Sequence, residues 1–186
     1  MSKIVLKNVR CSYVFVTEPH KDALDKQGNV IKGKYGVQII LKKNDPQITK
    51  IKKLVEEAAK EKFGEKVKLS MLKLPLRDGT EESENAEVQG MYFMNANNTR
   101  KPGIRNRHND APDADELEEM CYSGCYFHVS INVYAFKVDG NKGVAIGLNN
   151  VMLRKAGDRL DGTTNAEEDF EEFADEDDSM DDDGLD

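Results

Sequence analysis

The stretch Tyr122-Ser123-Gly124-Cys125-Tyr126-Phe127-His128-Val129-Ser130-Ile131-Asn132-Val133-Tyr134-Ala135-Phe136-Lys137 alternates almost without a break. Successive side chains of a β-strand point to opposite faces. Cys125, Phe127, Val129, Ile131, Val133 and Ala135 therefore share one face, and Tyr126, His128, Ser130, Asn132, Tyr134 and Phe136 the other. The first set is a core face. The second interleaves aromatic rings with hydrogen-bonding groups, which is unusual for a plain solvent face. Asp139-Gly140-Asn141-Lys142-Gly143 then reads as a tight turn, and Val144 to Arg154 as a returning strand, so a long hairpin anchors the fold. Gly143 and Gly147 predict a bend or bulge in the second strand, of the sort that lets a small barrel close.

Working outward, Lys3 to Val16 also reads as strand, with Ile4 and Leu6 on one face, Val5 and Val9 on the other, then Tyr13 and Phe15 against Val14 and Val16. His20 to Gly33 is a polar loop rich in turn formers. In Lys34 to Lys42, Tyr35, Val37, Ile39 and Leu41 face a core, and the opposite face is expected to be wet and basic. Asn44 to Gly64 is the one prominent helix: Asp45 as cap, Pro46 at the first turn, Ile48, Ile51, Val55, Ala59 and Phe63 as an apolar stripe, and Gly64 at the end. Its lysines read as a solvated face carrying i,i+4 pairs such as Glu56 with Lys60. Arg77 to Glu84 is a surface loop, Val88 to Asn95 a strand, and Asn95 to His108 a loop too polar to be core. Asp110 to Glu119 is acidic with a short helix at most. Five or six strands, one interposed helix and no βαβ alternation predict a mainly β protein built as a small antiparallel barrel.

The charge is sorted along the chain. There are 27 Lys and Arg against 35 Asp and Glu, a net charge of −8. Thirteen of the acids and none of the bases fall in Glu167 to Asp186, so residues 1–166 hold 27 bases against 22 acids, a balance of +5. A uniformly acidic enzyme does not look like this. No apolar run approaches the ~20 residues of a membrane span, and the start lacks the pattern of a signal peptide. The expectation is a protein of the cytoplasm, with no membrane partner and with Cys11, Cys121 and Cys125 reduced.

Catalytic signatures are missing: no Gly-rich loop ending in Gly-Lys-Ser/Thr, no Gly-x-Ser-x-Gly, no His-Glu-x-x-His. Zinc on Cys121, Cys125 and His108 or His128 is disfavoured, because Cys125 and His128 lie three apart on a strand and point oppositely. The carboxylates of Asp110 to Glu119 read as caps or solvated groups rather than a metal cluster. Neither enzyme activity nor a cofactor is expected.

A basic β surface bearing rings suits single-stranded nucleic acid, which is held without sequence choice by cations along the phosphates and aromatic side chains under the bases. Tyr126, Tyr134 and one of Tyr92 or Phe93 are the candidate stacking residues, with His128 on the same face as the first two. Arg100, Lys101, Arg105, Arg107, Lys137 and Lys142 are the candidate phosphate contacts. The alternative is that the tyrosines roof the barrel and the arginines solubilise a loop. Residues 166–186 have too little apolar surface to order themselves and read as a disordered acidic tail beside a domain spanning 1–165. A flexible chain of that length spans about 25 Å and can compete with nucleic acid for its own domain. A purely solubilising tail is the plain alternative.

Tyr122-Ser123-Gly124-Cys125-Tyr126, Ser130 to Phe136, Gly140 to Ala145 and Gly147-Leu148-Asn149-Asn150-Val151 closely resemble a bacteriophage family of single-stranded-DNA-binding proteins with an OB-fold, first catalogued as a domain of unknown function. Gly90 to Ala96, Lys101-Pro102-Gly103 and Ala166 to Phe170 are similar to it as well. The resemblance implies an OB-fold-like barrel that coats single-stranded DNA in phage replication, recombination and repair. It also implies an acidic tail that modulates binding and recruits a replication polymerase or helicase, all in the bacterial host cytoplasm. Two stretches depart from the family pattern: Ile104-Arg105-Asn106-Arg107 is basic, and Asp183-Gly184-Leu185-Asp186 carries no aromatic residue. A strand-annealing or recombination protein, and an acidic-tailed module that binds a host protein and no DNA, are the rival readings.

Overall fold

The computed structural model describes residues 2–164 and 166–174. In chain order the elements are β1 (Ser2–Phe15), β2 (Ala23–Leu24), β3 (Val30–Ile31), β4 (Tyr35–Lys42), α1 (Gln47–Phe63), β5 (Arg77–Asp78), α2 (Gly79–Glu82), β6 (Met91–Asn98), β7 (Gly103–Arg105), α3 (Ala114–Met120), β8 (Tyr126–Val138), β9 (Asn141–Lys155) and α4 (Ala166–Phe170), with short 3-10 turns between some of them. The main sheet runs β5-β6-β4-β1-β8-β9-β7, and an additional β6–β9 pairing closes five of its strands into a barrel. Strand β1 is long enough to serve both neighbours: Ser2 to Arg10 pair with β8 and Arg10 to Phe15 with β4.

The barrel is mixed rather than wholly antiparallel. Its closing pair is parallel, Ala96 opposite Ile146 and Asn97 opposite Gly147, and β7 adds to the other part of β9 in parallel as well. Because parallel partners come from distant stretches with a long crossover, local pattern does not reveal them.

Bulges decide where the long strands face. In β1 the register slips between Leu6 and Val9, where Asn8 takes a positive φ of 49°. Val9 therefore joins Ile4, Leu6 and Cys11 in the interior instead of facing outward with Val5, which is 47% exposed. In β9 the pairing skips Asn149 and Arg154, so Val144, Ile146 and Leu148 point inward and the inward parity then shifts to Val151 and Leu153. The expected irregularity in this strand thus falls on an asparagine and an arginine. Gly143 serves a different need: a Cβ there would lie 2.5 Å from the Lys73 carbonyl oxygen.

Helix α1 buries Ile48, Ile51, Val55 and Ala59 in the same core as the barrel's inward residues. At about 25 cal/mol per Å2 of apolar surface, four such side chains hold it firmly. Asp45 accepts the Gln47 backbone N–H at 2.9 Å, just before the helix, and Lys60 pairs with Glu56 at 2.7 Å.

Two polar segments are more ordered than their composition suggests. Arg77 to Glu84 supplies β5 and α2, whose Asp78 caps the Thr80 N–H at 3.0 Å. This segment and the turn after it cover the outer face of β4 at Ile40, which packs with Val88 and Phe93, while Gln38 is only 8% exposed beside its hydrogen-bond partners Ser12 and Asn95. The wet, basic outer face expected for β4 is therefore largely covered. Within Asn95 to His108, β6 continues to Asn98, Pro102 is buried and β7 forms. Helix α3 has a capping box between Asp113 and Glu116. Ala166–Phe170 and Glu171–Phe173 are short exposed helical turns, and the expectation for residues 175–186 lies outside the described residues. Among the described residues no helix is long and apolar enough to cross a membrane.

Candidate nucleic-acid interface

The parallel seam between β6 and β9 forms the floor of an open groove of about 580 Å3. Asn95, Asn97 and Asn98 project from β6, Tyr134 and Phe136 from β8, and Lys34, Lys73 and Arg77 stand along the rim. Through Asn98 and Asn132 it continues into a basin of about 440 Å3 lined by Lys3, Arg100, Lys101, Asn149 and Asn150. Through Asn95 and Asn97 it continues the other way to Tyr13, His20 and Gln38. Together these make one trough. It is lined by six Lys and Arg side chains and by no carboxylate, although residues 1–166 contain 22 acids. None of the six makes an ion pair among the described residues.

Its polar floor is fixed by its own hydrogen bonds. Ser12 Oγ donates to Gln38 Oε1 at 2.9 Å, and Gln38 Nε2 donates to Asn95 Oδ1 at 3.4 Å. Asn132 and Asn149 exchange amide hydrogen bonds at 2.9 and 3.1 Å. This pair exists because Asn149 is one of the two bulged residues of β9. Asn98 Nδ2 donates to the Leu148 carbonyl at 2.8 Å, a side-chain tie across the β6–β9 seam itself. Lys73 is held to the rim by backbone bonds on both sides: its N–H donates to Lys142 O at 3.0 Å and its carbonyl accepts from Val144 N–H at 2.9 Å. At the far end the rings of Phe15 and His20 stack at 3.6 Å.

The residues singled out from sequence separate into groups. Tyr134 is 37% exposed in the trough, and Arg100 and Lys101 line its basin. Lys137 and Lys142 are exposed and face each other across the hairpin, with Lys142 5.9 Å above the Phe63 ring. Tyr126 lies eight positions from Tyr134 on β8, about 26 Å away at roughly 3.3 Å per residue. It lines a different pocket, beside Arg107, with Lys155 4.6 Å from its ring. His128 sits between the two tyrosines in a row with Met152 and Arg105, residues paired across β8, β9 and β7. Burial, with Arg154 and Lys7 nearby, pushes its pKa down and favours the neutral ring.

Tyr92 and Phe93 are not free rings. Phe93 is 4% exposed behind Ile40 and Val88. Tyr92 packs against the main core under the Lys43 and Lys52 ammonium groups, 5.6 and 5.2 Å from its ring. Strand alternation separates the two correctly but cannot show that both sides of β6 are covered at that end. Conversely, Lys34, Lys73, Arg77, Phe136 and the asparagines line the trough without having been singled out as contacts. The Asn95-Ala96-Asn97-Asn98 run was the available signal.

The thiols lie apart from this surface. Cys11 and Cys125 are buried, and burial first, then neighbouring Cys125, pushes the Cys121 thiol up to about 12.

The family described as Enterobacter phage Enc34, ssDNA-binding protein, has a model that matches residues 2–180. The chain belongs to that family. Solved structures agree in fold. The single-stranded DNA-binding protein from bacteriophage Enc34 superposes with a TM-score of 0.68 at 23% identity, covering 90% of this chain and 89% of that one. The same phage protein in complex with ssDNA gives 0.70 at 24%, over 85% and 89%. The gp2.5 single-stranded DNA binding protein encoded by bacteriophage T7 gives 0.55 at 14%, over 89% and 98%. No curated protein matches the chain. The mainly β barrel expected from the residues, and the OB-fold-like form that the resemblance implied for it, is thus the fold of this Enc34-type member, with α1 inserted between β4 and β6.

Proposed function

We infer that the trough binds single-stranded DNA without sequence preference. The observation that carries this reading is the segregation of charge: six cations and no carboxylate line one continuous groove on a body with nearly balanced charge. Tyr134 and Phe136 offer rings for base stacking, and the Phe15–His20 stack extends that platform. Lys34, Lys73, Arg77, Lys3, Arg100 and Lys101 contact phosphates, and Lys137 and Lys142 on the adjoining hairpin add to the field. The floor amides are already paired with one another, which leaves them poorly placed to select a base. The Enc34 protein solved in complex with ssDNA supports the same reading.

The function needs no reaction chemistry and no cofactor. In this account residues 1–165 are the DNA-binding domain. The acidic tail, 166–186, competes with DNA at low salt and, once displaced, is free to recruit a replication polymerase or helicase. The protein coats single strands exposed in phage replication, recombination and repair within the host cytoplasm.

Photocross-linking of a bromodeoxyuridine-substituted oligonucleotide, with the adduct mapped by mass spectrometry, tests the site. Adducts on Tyr134 or Phe136 are expected. Adducts confined to Tyr92, Phe93 or the outer helix α1 would overturn it.

A further inference from the structure

The pocket at Tyr126 is as well built as the trough and lies apart from it. It encloses about 710 Å3 and is lined by Arg10, Lys42, Arg107, Arg154 and Lys155 against two carboxylates, Asp45 and Glu87. Asp45 is engaged elsewhere, accepting from the Gln47 N–H and side-chain amide. None of the five cations has an ion-pair partner among the described residues. Arg10 is pre-set: its Nε donates to Gly124 O at 3.3 Å and an Nη to Asp158 O at 2.8 Å. Arg154, the second bulged residue of β9, also lines this pocket, and its Nε is buried without a hydrogen-bond partner among the described residues.

One row of β8 residues links the two sites. The outward residues of β8 run from Tyr134 through Asn132 and His128 to Tyr126, flanked by Lys3 and Lys7 on β1 and Arg105 on β7. None of the residues of this row is itself a carboxylate between Lys3 and Arg100 at one end and Arg10 and Lys155 at the other.

We propose that the Tyr126 pocket is a second phosphate-binding subsite for the same DNA strand, so that the footprint runs from the trough along β8. This rests on the reading of the trough as the primary site. At 3.4 Å per stacked nucleotide, about 26 Å corresponds to roughly eight nucleotides. An oligonucleotide of about 5 residues fills the trough alone, whereas one of about 16, at the upper end of single-barrel site sizes, engages both.

The test uses the full chain with Lys42→Gln and Lys155→Gln combined, titrated with oligo-dT of about 5 and about 16 nucleotides across a salt series. Affinity for the short oligomer should be unchanged, while the long one binds several-fold more weakly and its log–log salt slope falls by about 1.4, at ~0.7 per lost phosphate contact. The Lys42→Arg, Lys155→Arg variant should behave as wild type, which separates lost charge from misfolding. An unchanged slope with the long oligomer would overturn the proposal, as would equal losses with both lengths. Tighter binding of both would also overturn it, by showing that the pocket holds the chain's own acidic segment. Failure of the wild type to bind the short oligomer would instead count against the trough.

Discussion

The backbone N–H of Asn8 donates to Nδ1 of His128 at 3.0 Å, across the bulge that turns Val9 into the core. Asn8 can reach because its φ is 49°, a left-handed conformation that asparagine tolerates better than most residues. The bond requires an unprotonated Nδ1, and burial with the Arg154 and Lys7 charges keeps the ring neutral.

A pH dependence follows from that bond. The folded-state pKa of His128 lies below its ordinary value, so between the two values the unfolded chain binds more protons than the folded one. Its contribution is present above about pH 6.5 and declines as pH falls through that window. The urea midpoint should drop from about pH 7.5 to about pH 5, and His128→Asn, which keeps an acceptor but does not titrate, should show a shallower drop. An identical drop in the variant would exclude His128 as the source.

The two aromatic groups should separate by assay. Tyr134→Ala should weaken oligo-dT binding by about 1–3 kcal/mol, roughly 5- to 150-fold, with little change in Tm, because its ring is at the trough surface. Phe93→Ala should instead cost about 3–5 kcal/mol of stability, since its ring is packed with Ile40 and Val88. Denaturation and fluorescence titration of both variants check the pair. A stable Phe93→Ala protein that has lost DNA binding would reverse the assignment.

Gly143 couples the hairpin to the rim of the trough. An added Cβ would lie 2.5 Å from Lys73 O and 2.9 Å from the Phe136 ring, so Gly143→Ala must push back either the Lys73 segment or the ring. Lower thermal stability and weaker oligo-dT binding should appear together, whereas Gly140→Asn in the open turn, with φ of 80° and no close neighbour, should alter neither strongly. Thermal melts and titrations of the two variants decide it.

The acidic tail gives a fourth expectation. A chain ending at Asn165 should bind oligo-dT more tightly than the full chain at low salt, with the difference vanishing as salt rises, because a tethered polyanion acts at roughly millimolar effective concentration. Equal affinities at low salt would remove the competitive role and leave partner recruitment to be tested by itself.

What could be read from residues was whatever local spacing carries. The β8–β9 hairpin, the α1 stripe of Ile48, Ile51, Val55 and Ala59, and the sign change near Glu167 needed nothing beyond sequence neighbours. The parity shifts were also there to be seen: Ile4 and Leu6 then Val9 and Cys11, and Val144, Ile146 and Leu148 then Val151 and Leu153, each skip by an extra residue at a bulge. The trough was not legible as a unit. Lys34, Lys73, Asn97 and Tyr134 meet only because β6 pairs with β9 in parallel, a long-range choice that no local pattern encodes. Tyr92 and Phe93 were misleading for a related reason: alternation says only that the two point oppositely, and a polar segment, 79–90, covers the side on which Phe93 packs with Ile40 and Val88.

Charge and stacking should hold single strands without choice of sequence. Fluorescence titration of the full chain with labelled oligo-dT and with a mixed-sequence oligonucleotide of the same length, over a range of salt, tests it directly. Saturable binding of similar affinity to both, with a log–log salt slope of roughly −0.7 per phosphate contacted, is the predicted result. Absent binding, or binding that ignores salt, would contradict it.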